Sequence, residues 1–349
     1  MRIVEIGDKP YVKRAFPAET SYFSTYAVRE PDDPAAGRWA VSLANLPLLL
    51  RHFRGADLIV CQPSFWSPWH WRGLVRLFDR RALRGHFPLI RAAGPQLLRL
   101  PMTAPIAVVD HEDLPVINRS NLFLLKRARL YFKRELPVDR WRLFLKTAHP
   151  NLPTTRFRKL SRYRDAVAKV RPISLGLPLT MPDTYPQHAG EKTADVFFAG
   201  LVDGSSWVRE AGLRELGALR SSGLRVDIPE QRLAPEEFYR RCAAAWLTWS
   251  PEGLGWDCFR HYEAAACGSV PVISRPTIER YQPLRDREHA FYYDVEPGGL
   301  TATIRDALRD KPRLDAIAHA ARAHVLALHT PTALATHIVQ TTLQAGRPA

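Results

Sequence analysis

Trp249-Ser250-Pro251-Glu252-Gly253-Leu254-Gly255-Trp256-Asp257-Cys258-Phe259-Arg260-His261-Tyr262-Glu263-Ala264-Ala265-Ala266-Cys267-Gly268-Ser269-Val270-Pro271-Val272-Ile273 is the stretch whose reading decides the fold. An apolar strand (Ala245–Trp249) runs out, a glycine-bearing loop follows, a helix opens at Phe259, and Gly268 admits the next strand. A strand, loop, helix, glycine and strand in that order are the working parts of a parallel α/β sheet. The helix N terminus presents free N–H groups and the positive end of the helix dipole, which suits a diphosphate. Arg260, in the first turn, adds a permanently charged fork for phosphate oxygens. Glu263 lies one turn later on the same face and can accept hydrogen bonds from ribose or sugar hydroxyls. Gly253 and Gly255 let the backbone approach a ligand, and Ser250 and Glu252 lie at the start of the same loop.

The same alternation extends in both directions. Upstream, Ala194–Gly200 reads as a strand, Trp207–Ser221 as a helix, Leu224–Ile228 as a strand and Ala234–Ala244 as a helix opening on proline and two acids. Gly200 permits close approach, Ser205 or Ser206 caps the next helix, and Arg209 falls in its first turns facing the same diphosphate. Downstream, Gly299–Leu308, Leu314–His329 and Thr332–Leu343 are helical. In the first half, Ile3–Gly7, Ala56–Cys61, Pro105–Asp110 and Ala128–Phe132 read as buried strands, and Trp39–Phe53 and Arg72–Arg84 as helices. Proline and glycine punctuate Arg171–Glu191, which places a domain boundary there. The expected organisation is an α/β protein of two Rossmann-like domains with parallel sheets facing across a cleft. Residues 1–185 form the first domain, 190–325 the second, which holds the deciding stretch, and 326–349 a C-terminal helix. Ligands of open α/β sheets bind at the carboxyl ends of the strands.

Phe259-Arg260-x-x-Glu263-Ala264 followed by Gly268-Ser269-Val270-Pro271-Val272 resembles the C-terminal half of exostosin-type and group-1-type glycosyltransferases of the GT-B fold. The resemblance implies that Arg260 holds the nucleotide diphosphate and Glu263 the ribose or sugar. It further implies a basic residue at Arg209, a C-terminal helix that returns to the first domain, and catalysis without cofactor or metal. The group-1 pattern has a second glutamate eight residues before the first, where Gly255 stands here. Glu252 lies three residues further upstream, and the departure favours the exostosin-like relative. The resemblance is specific over Thr248–Ile273, weaker over Phe197–Arg209, and only architectural over the first half.

The first half carries a second titratable cluster. Pro105–Asp110 runs into Asp110-His111-Glu112-Asp113, and an inverting transfer to a hydroxyl needs a general base. Asp110, His111 and Asp113 are the candidate catalytic groups, with mutual repulsion expected to raise one carboxyl's pKa. Lys133 and Arg134 follow a strand and are candidates for neutralising the leaving diphosphate. The aromatic loop Phe65–Trp71 suits stacking on a sugar or a membrane interface as well as packing. No spacing of acids and histidines predicts a metal site.

Composition limits the remaining choices. The chain of 349 residues has 46% hydrophobic and 24% charged residues, which describes a packed protein large enough for two domains. Fifty basic against 35 acidic side chains give a net charge of +15, which points to anionic ligands: phosphates, acidic glycans, anionic membrane or nucleic acid. Cys61, Cys242, Cys258 and Cys267 show no paired spacing, the N terminus has no signal-peptide core, and the best apolar run (Leu46–Leu50) cannot span a bilayer. A cytoplasmic protein, peripheral at the inner face of the membrane, is expected. The function expected is sugar transfer from a nucleotide sugar to a hydroxyl of a glycan, lipid-linked or small-molecule acceptor. The alternatives are a DNA-modifying glycosyltransferase and a non-catalytic nucleotide-sugar-binding protein on the same scaffold.

Overall fold

The computed structural model describes residues 1–25, 32–63, 94–147, 154–158, 163–180, 184–187, 190–202 and 206–345. The expected helix Arg72–Arg84, the aromatic loop Phe65–Trp71 and Ser205 lie outside them. The chain divides into two compact units, one of residues 1–173 with 334–349 and one of residues 174–333.

Unit 1 is built on strands β1 (Ile3–Gly7), β2 (Thr20–Ser24), β3 (Arg38–Ala40), β4 (Leu58–Cys61), β5 (Ile106–Asp110), β6 (Leu130–Lys133) and β7 (Val170–Pro172). Their order across the sheet is β3-β2-β1-β4-β5-β6-β7, and each neighbouring pair is parallel. The runs IVEIG, LIVC and IAVVD are buried at every position, as strands covered on both faces must be. Helices α1 (Tyr11–Ala15), α2 (Leu46–Gly55), α3 (Leu122–Arg127) and α4 (Arg164–Val167) belong to this unit.

Trp39 is not helical. It lies in β3 in register with Phe23, with the two rings stacked at 5.1 Å. The helix starts only at Leu46, with Pro47 in its first turn, because proline opens a helix but cannot sit inside one. The strand expected at Ala128–Phe132 is shifted to Leu130–Lys133, since α3 occupies the chain up to Arg127. Lys133 is therefore the last residue of a strand and stands opposite Asp110 in the parallel register.

Unit 2 holds β8 (Ala194–Phe197), β9 (Val226–Asp227), β10 (Ala245–Ser250), β11 (Val270–Ser274) and β12 (Phe291–Tyr293), in the order β12-β11-β10-β8-β9 and again parallel throughout. Helices α5 (Trp207–Ser221), α6 (Pro235–Ala243), α7 (Phe259–Ala266), α8 (Gly299–Leu308) and α9 (Lys311–Leu328) complete it. α5 sits close to the sheet because Gly212 has no side chain: a Cβ there would lie 2.1 Å from the Trp249 ring. α7 ends in a Schellman motif in which Ser269 N–H reaches Ala264 O at 3.0 Å and Gly268 N–H reaches Ala265 O at 3.0 Å. Gly268 closes it with φ of +73°, a left-handed conformation that suits glycine. The last helix, α10 (Pro331–Gln344), passes into unit 1 from Leu334, and the His337 ring meets Phe132 edge-on at 5.7 Å.

Candidate functional site

In unit 2 the carboxyl ends of β8 and β10 and the N terminus of α7 carry the charged residues singled out above. Among the described residues no side chain caps α7, whose N-cap is Cys258, and in its first turn His261 N–H bonds Cys258 O at 3.1 Å. The Arg260 guanidinium lies with its carbon 5.2 Å from the centre of the Phe198 ring. It crosses Gly200 so closely that a Cβ there would stand 2.3 Å from Nη2. Gly200 thus makes room for the arginine. Nε and Nη1 of Arg260 are buried and have no hydrogen-bond partner among the described residues. Burial pulls the Arg260 pKa down, with Arg209 adding repulsion and Glu263 opposing it. Such donors are expensive to bury unpaired.

Glu263 is one turn on and does not pair with Arg260. Its Oε1 accepts from the Tyr239 hydroxyl at 3.1 Å. Burial pushes the Glu263 carboxyl up, while Tyr239 and Arg260 hold it down. Arg209, expected to face the diphosphate, is engaged by two loop carbonyls. Its Nε donates to Glu252 O at 2.9 Å and its Nη1 to Leu201 O at 2.5 Å, so it ties the loop after β8 to the loop after β10. Ser206 caps α5, accepting from Val208 N–H at 3.2 Å. Gly253 N–H bonds Gly255 O at 2.9 Å and tightens the glycine loop.

The Ser250 side chain is fully buried and bonds His261 Nδ1 at 2.7 Å, so only its backbone remains to offer a ligand. His261 Nε2 lies 2.9 Å from Trp256 O. A carbonyl only accepts, so Nε2 carries the hydrogen and Nδ1 accepts from Ser250. Burial lowers the His261 pKa to about 3, which keeps the ring neutral in that role. Asp257 is held as firmly, accepting from Tyr262 Oη at 2.6 Å and Leu175 N–H at 2.6 Å. These bonds fix the Ser250–Cys258 loop on either side of its glycines. His261 stands inside the deciding stretch, yet nothing in its spacing marked it as a brace. Tyr239, 24 residues before Glu263, gave no local signal at all.

In unit 1 the register of β5 and β6 brings the other two candidate sets together. Lys133 Nζ bonds Asp110 Oδ1 at 3.0 Å, and Tyr131 Oη bonds Asp110 Oδ2 at 2.6 Å. Both Asp110 and Lys133 are buried. Arg134 binds Asp113 and Glu135 and donates to His111 O at 3.0 Å. Lys133, Arg134, Asp110 and Asp113 therefore neutralise one another. Cations hold Asp110 and Asp113, and the mutual repulsion anticipated among the acids acts on the neighbouring Glu112.

The carboxyl that is raised is Glu112, outside the expected set. Burial, then the neighbouring Asp110 charge, lift it to about 7. The His111 ring lies tilted against Tyr11 at 4.7 Å, and both its nitrogens are buried without a hydrogen-bond partner among the described residues. Burial and the nearby Arg134 lower its pKa to about 3, so the ring is neutral. Among the described residues no group of three or more His, Cys, Asp or Glu is arranged to hold a metal, and no helix is long and apolar enough to cross a membrane.

Residues 229–340 match the family model described as glycosyl transferase-like. No curated protein matches the sequence. Three similar solved structures share the whole architecture at low identity. Sucrose-phosphate synthase from Thermosynechococcus elongatus is 14% identical, with 99% of each chain covered and a TM-score of 0.53. HepE from Anabaena in complex with UDP is 13% identical, with 99% of this chain and 100% of that one covered and a TM-score of 0.51. An alpha-glucosyltransferase in complex with UDP-glucose and DNA containing an abasic site is 12% identical, with 98% and 99% covered and a TM-score of 0.53. The chain has the GT-B fold that these structures share. The fold spans its length, and the glycosyl transferase-like sequence spans 229–340. The exostosin-like subtype is not singled out by these matches.

Proposed function

We propose that the chain moves a sugar from a nucleotide-sugar donor to a hydroxyl of a glycan, lipid-linked or small-molecule acceptor. In this reading the donor diphosphate lies on Arg260 and the N terminus of α7, and Glu263 takes ribose or sugar hydroxyls. The observation that carries it is the Arg260 guanidinium, two of whose nitrogens are buried and unpartnered among the described residues, beside a helix N terminus that no side chain among them caps. The oxygens of a diphosphate accept from guanidinium N–H groups and would supply the partners these donors lack. Arg209 acts one step back, shaping the loops that enclose the donor. The acceptor oxygen attacks the anomeric carbon as its bond to the diphosphate breaks, and the electron pair leaves on phosphate oxygen, where positive charge stabilises it. No resident cofactor or metal takes part in this reading.

If the reaction inverts, the acceptor proton needs a base, and we place it in the turn Asp110–Asp113. Asp110 and Asp113 are engaged by cations, which leaves His111 and Glu112, and Glu112 has the better-matched pKa. If the reaction retains, the leaving phosphate can take the proton. A second acceptor class, DNA, is favoured by the net charge of +15, as is peripheral binding to anionic membrane on the cytoplasmic side.

The test is a thermal-shift screen against UDP-, GDP-, dTDP- and CMP-sugars. One of them is expected to raise Tm in a concentration-dependent way, since a ligand that binds only the folded state stabilises it by mass action. No shift with any of the four classes, backed by calorimetry, would overturn the proposal.

A further inference from the structure

We infer that Tyr239 is a positioning residue for the donor site: with Phe198 on the other side, it holds Arg260 and Glu263 apart so that both keep free valences for a ligand. The inference rests on the donor-site reading above. Opposite charges three residues apart on a helix face are placed to pair. A glutamate and an arginine that had closed on one another would present neither a carboxylate nor a guanidinium to an incoming nucleotide sugar. The geometry prevents that closure from both ends. Arg260 lies across Gly200 against the Phe198 ring, and Glu263 turns toward α6, where the Tyr239 hydroxyl meets Oε1 at 3.1 Å. No hydrogen bond to Oε2 is formed by the described residues.

Tyr239 is well built for this task. It is buried, and its ring is fixed edge-on against Tyr185 at 5.1 Å and against Phe238 at 5.5 Å. Burial and the Glu263 charge push its phenol pKa up, so it stays protonated and always donates. That donation also has an electrostatic effect. Burial favours the neutral form of Glu263, and the charged or titratable groups facing it are Arg260 on α7, Tyr239 on α6, Tyr185, and Cys267 at the end of α7. Of these, Tyr239 and Arg260 favour the carboxylate. A carboxylate accepting two ligand hydroxyls must be ionised, so Tyr239 extends donor binding toward lower pH.

The experiment is calorimetric titration of the full chain from pH 5 to 9 with whichever of UDP-glucose, GDP-mannose, dTDP-glucose and CMP-sialic acid the wild type binds. Tyr239→Phe keeps the ring and removes only the hydroxyl. It is expected to raise Kd about five- to tenfold at pH 8, the scale of one lost hydrogen bond. The acidic limb of binding should also move to higher pH. Glu263→Gln should weaken binding and flatten that limb, which identifies Glu263 as the titrating group. A Tyr239→Phe variant with wild-type affinity and an unmoved limb would overturn the inference while leaving the donor site standing. A wild type that binds none of the four probes would instead overturn the donor-site reading and this inference with it.

Discussion

The turn Asp110–Asp113 in unit 1 and the first turn of α7 in unit 2 look alike as sequence, each a knot of charge just past a buried parallel strand. Their side chains behave in opposite ways. In unit 1 each cation has found an anion: Lys133 with Asp110, and Arg134 with Asp113 and Glu135. In unit 2 Arg260 and Glu263 stand one turn apart and do not pair, and Arg260 keeps two buried nitrogens with no partner among the described residues. Folding alone would favour the first arrangement, because an unmatched buried donor weakens the folded state. The second arrangement fits the proposed donor site, where a ligand would supply the partners that the first arrangement finds within the protein.

The largest effect that would break this comparison lies in unit 1. Lys133→Ala leaves Asp110 buried opposite an empty space and should destabilise the protein by about 3–5 kcal/mol, read from urea unfolding. Asp110→Leu combined with Lys133→Met should recover much of that loss. If Lys133→Ala instead left stability intact and abolished turnover, unit 1 would hold a working site and the distinction would collapse. Next in size is Arg260→Ala, which should lower nucleotide-sugar affinity by about 2–4 kcal/mol while leaving Tm unchanged or slightly raised. A Tm that fell with donor affinity intact would return Arg260 to the scaffold.

The smallest effect sharpens the one exception in unit 1. Glu112 has its carboxyl raised from 4.5 to about 7 by burial, so the folded chain holds that proton more tightly than the unfolded chain. The neutral group's contribution is fully present below about pH 4.5 and is lost as pH rises to about 7. Glu112→Gln should therefore gain about 1 kcal/mol of stability at pH 8 relative to wild type and almost nothing at pH 4.5. Equal shifts at both pH values would show that the carboxyl does not titrate as its surroundings require.

The buried parallel strands were legible from their unbroken apolar runs, and so was α7 from the arginine, the glutamate and the closing glycine. β2, β3, β7 and β12 were not anticipated, and Trp39 was misplaced into a helix, because short strands are defined by their partners across the sheet. The same reason hid the pairing of Asp110 with Lys133. Which charges neutralise one another depends on register between strands 23 residues apart, and no local pattern encodes it. Arg260 and Glu263 could be read because they are neighbours on one helix, whereas Tyr239 could not because it arrives from another.

Arg209 joins two loops through carbonyls of Leu201 and Glu252, residues 51 positions apart in the chain. One side chain thereby makes a single mechanical lip out of segments that belong to different strand–helix crossings. Opening either loop must break the same guanidinium clasp, so the two should exchange amide hydrogens with solvent as a unit rather than independently. A nucleotide that settles against one loop would quiet the other as well, without touching it.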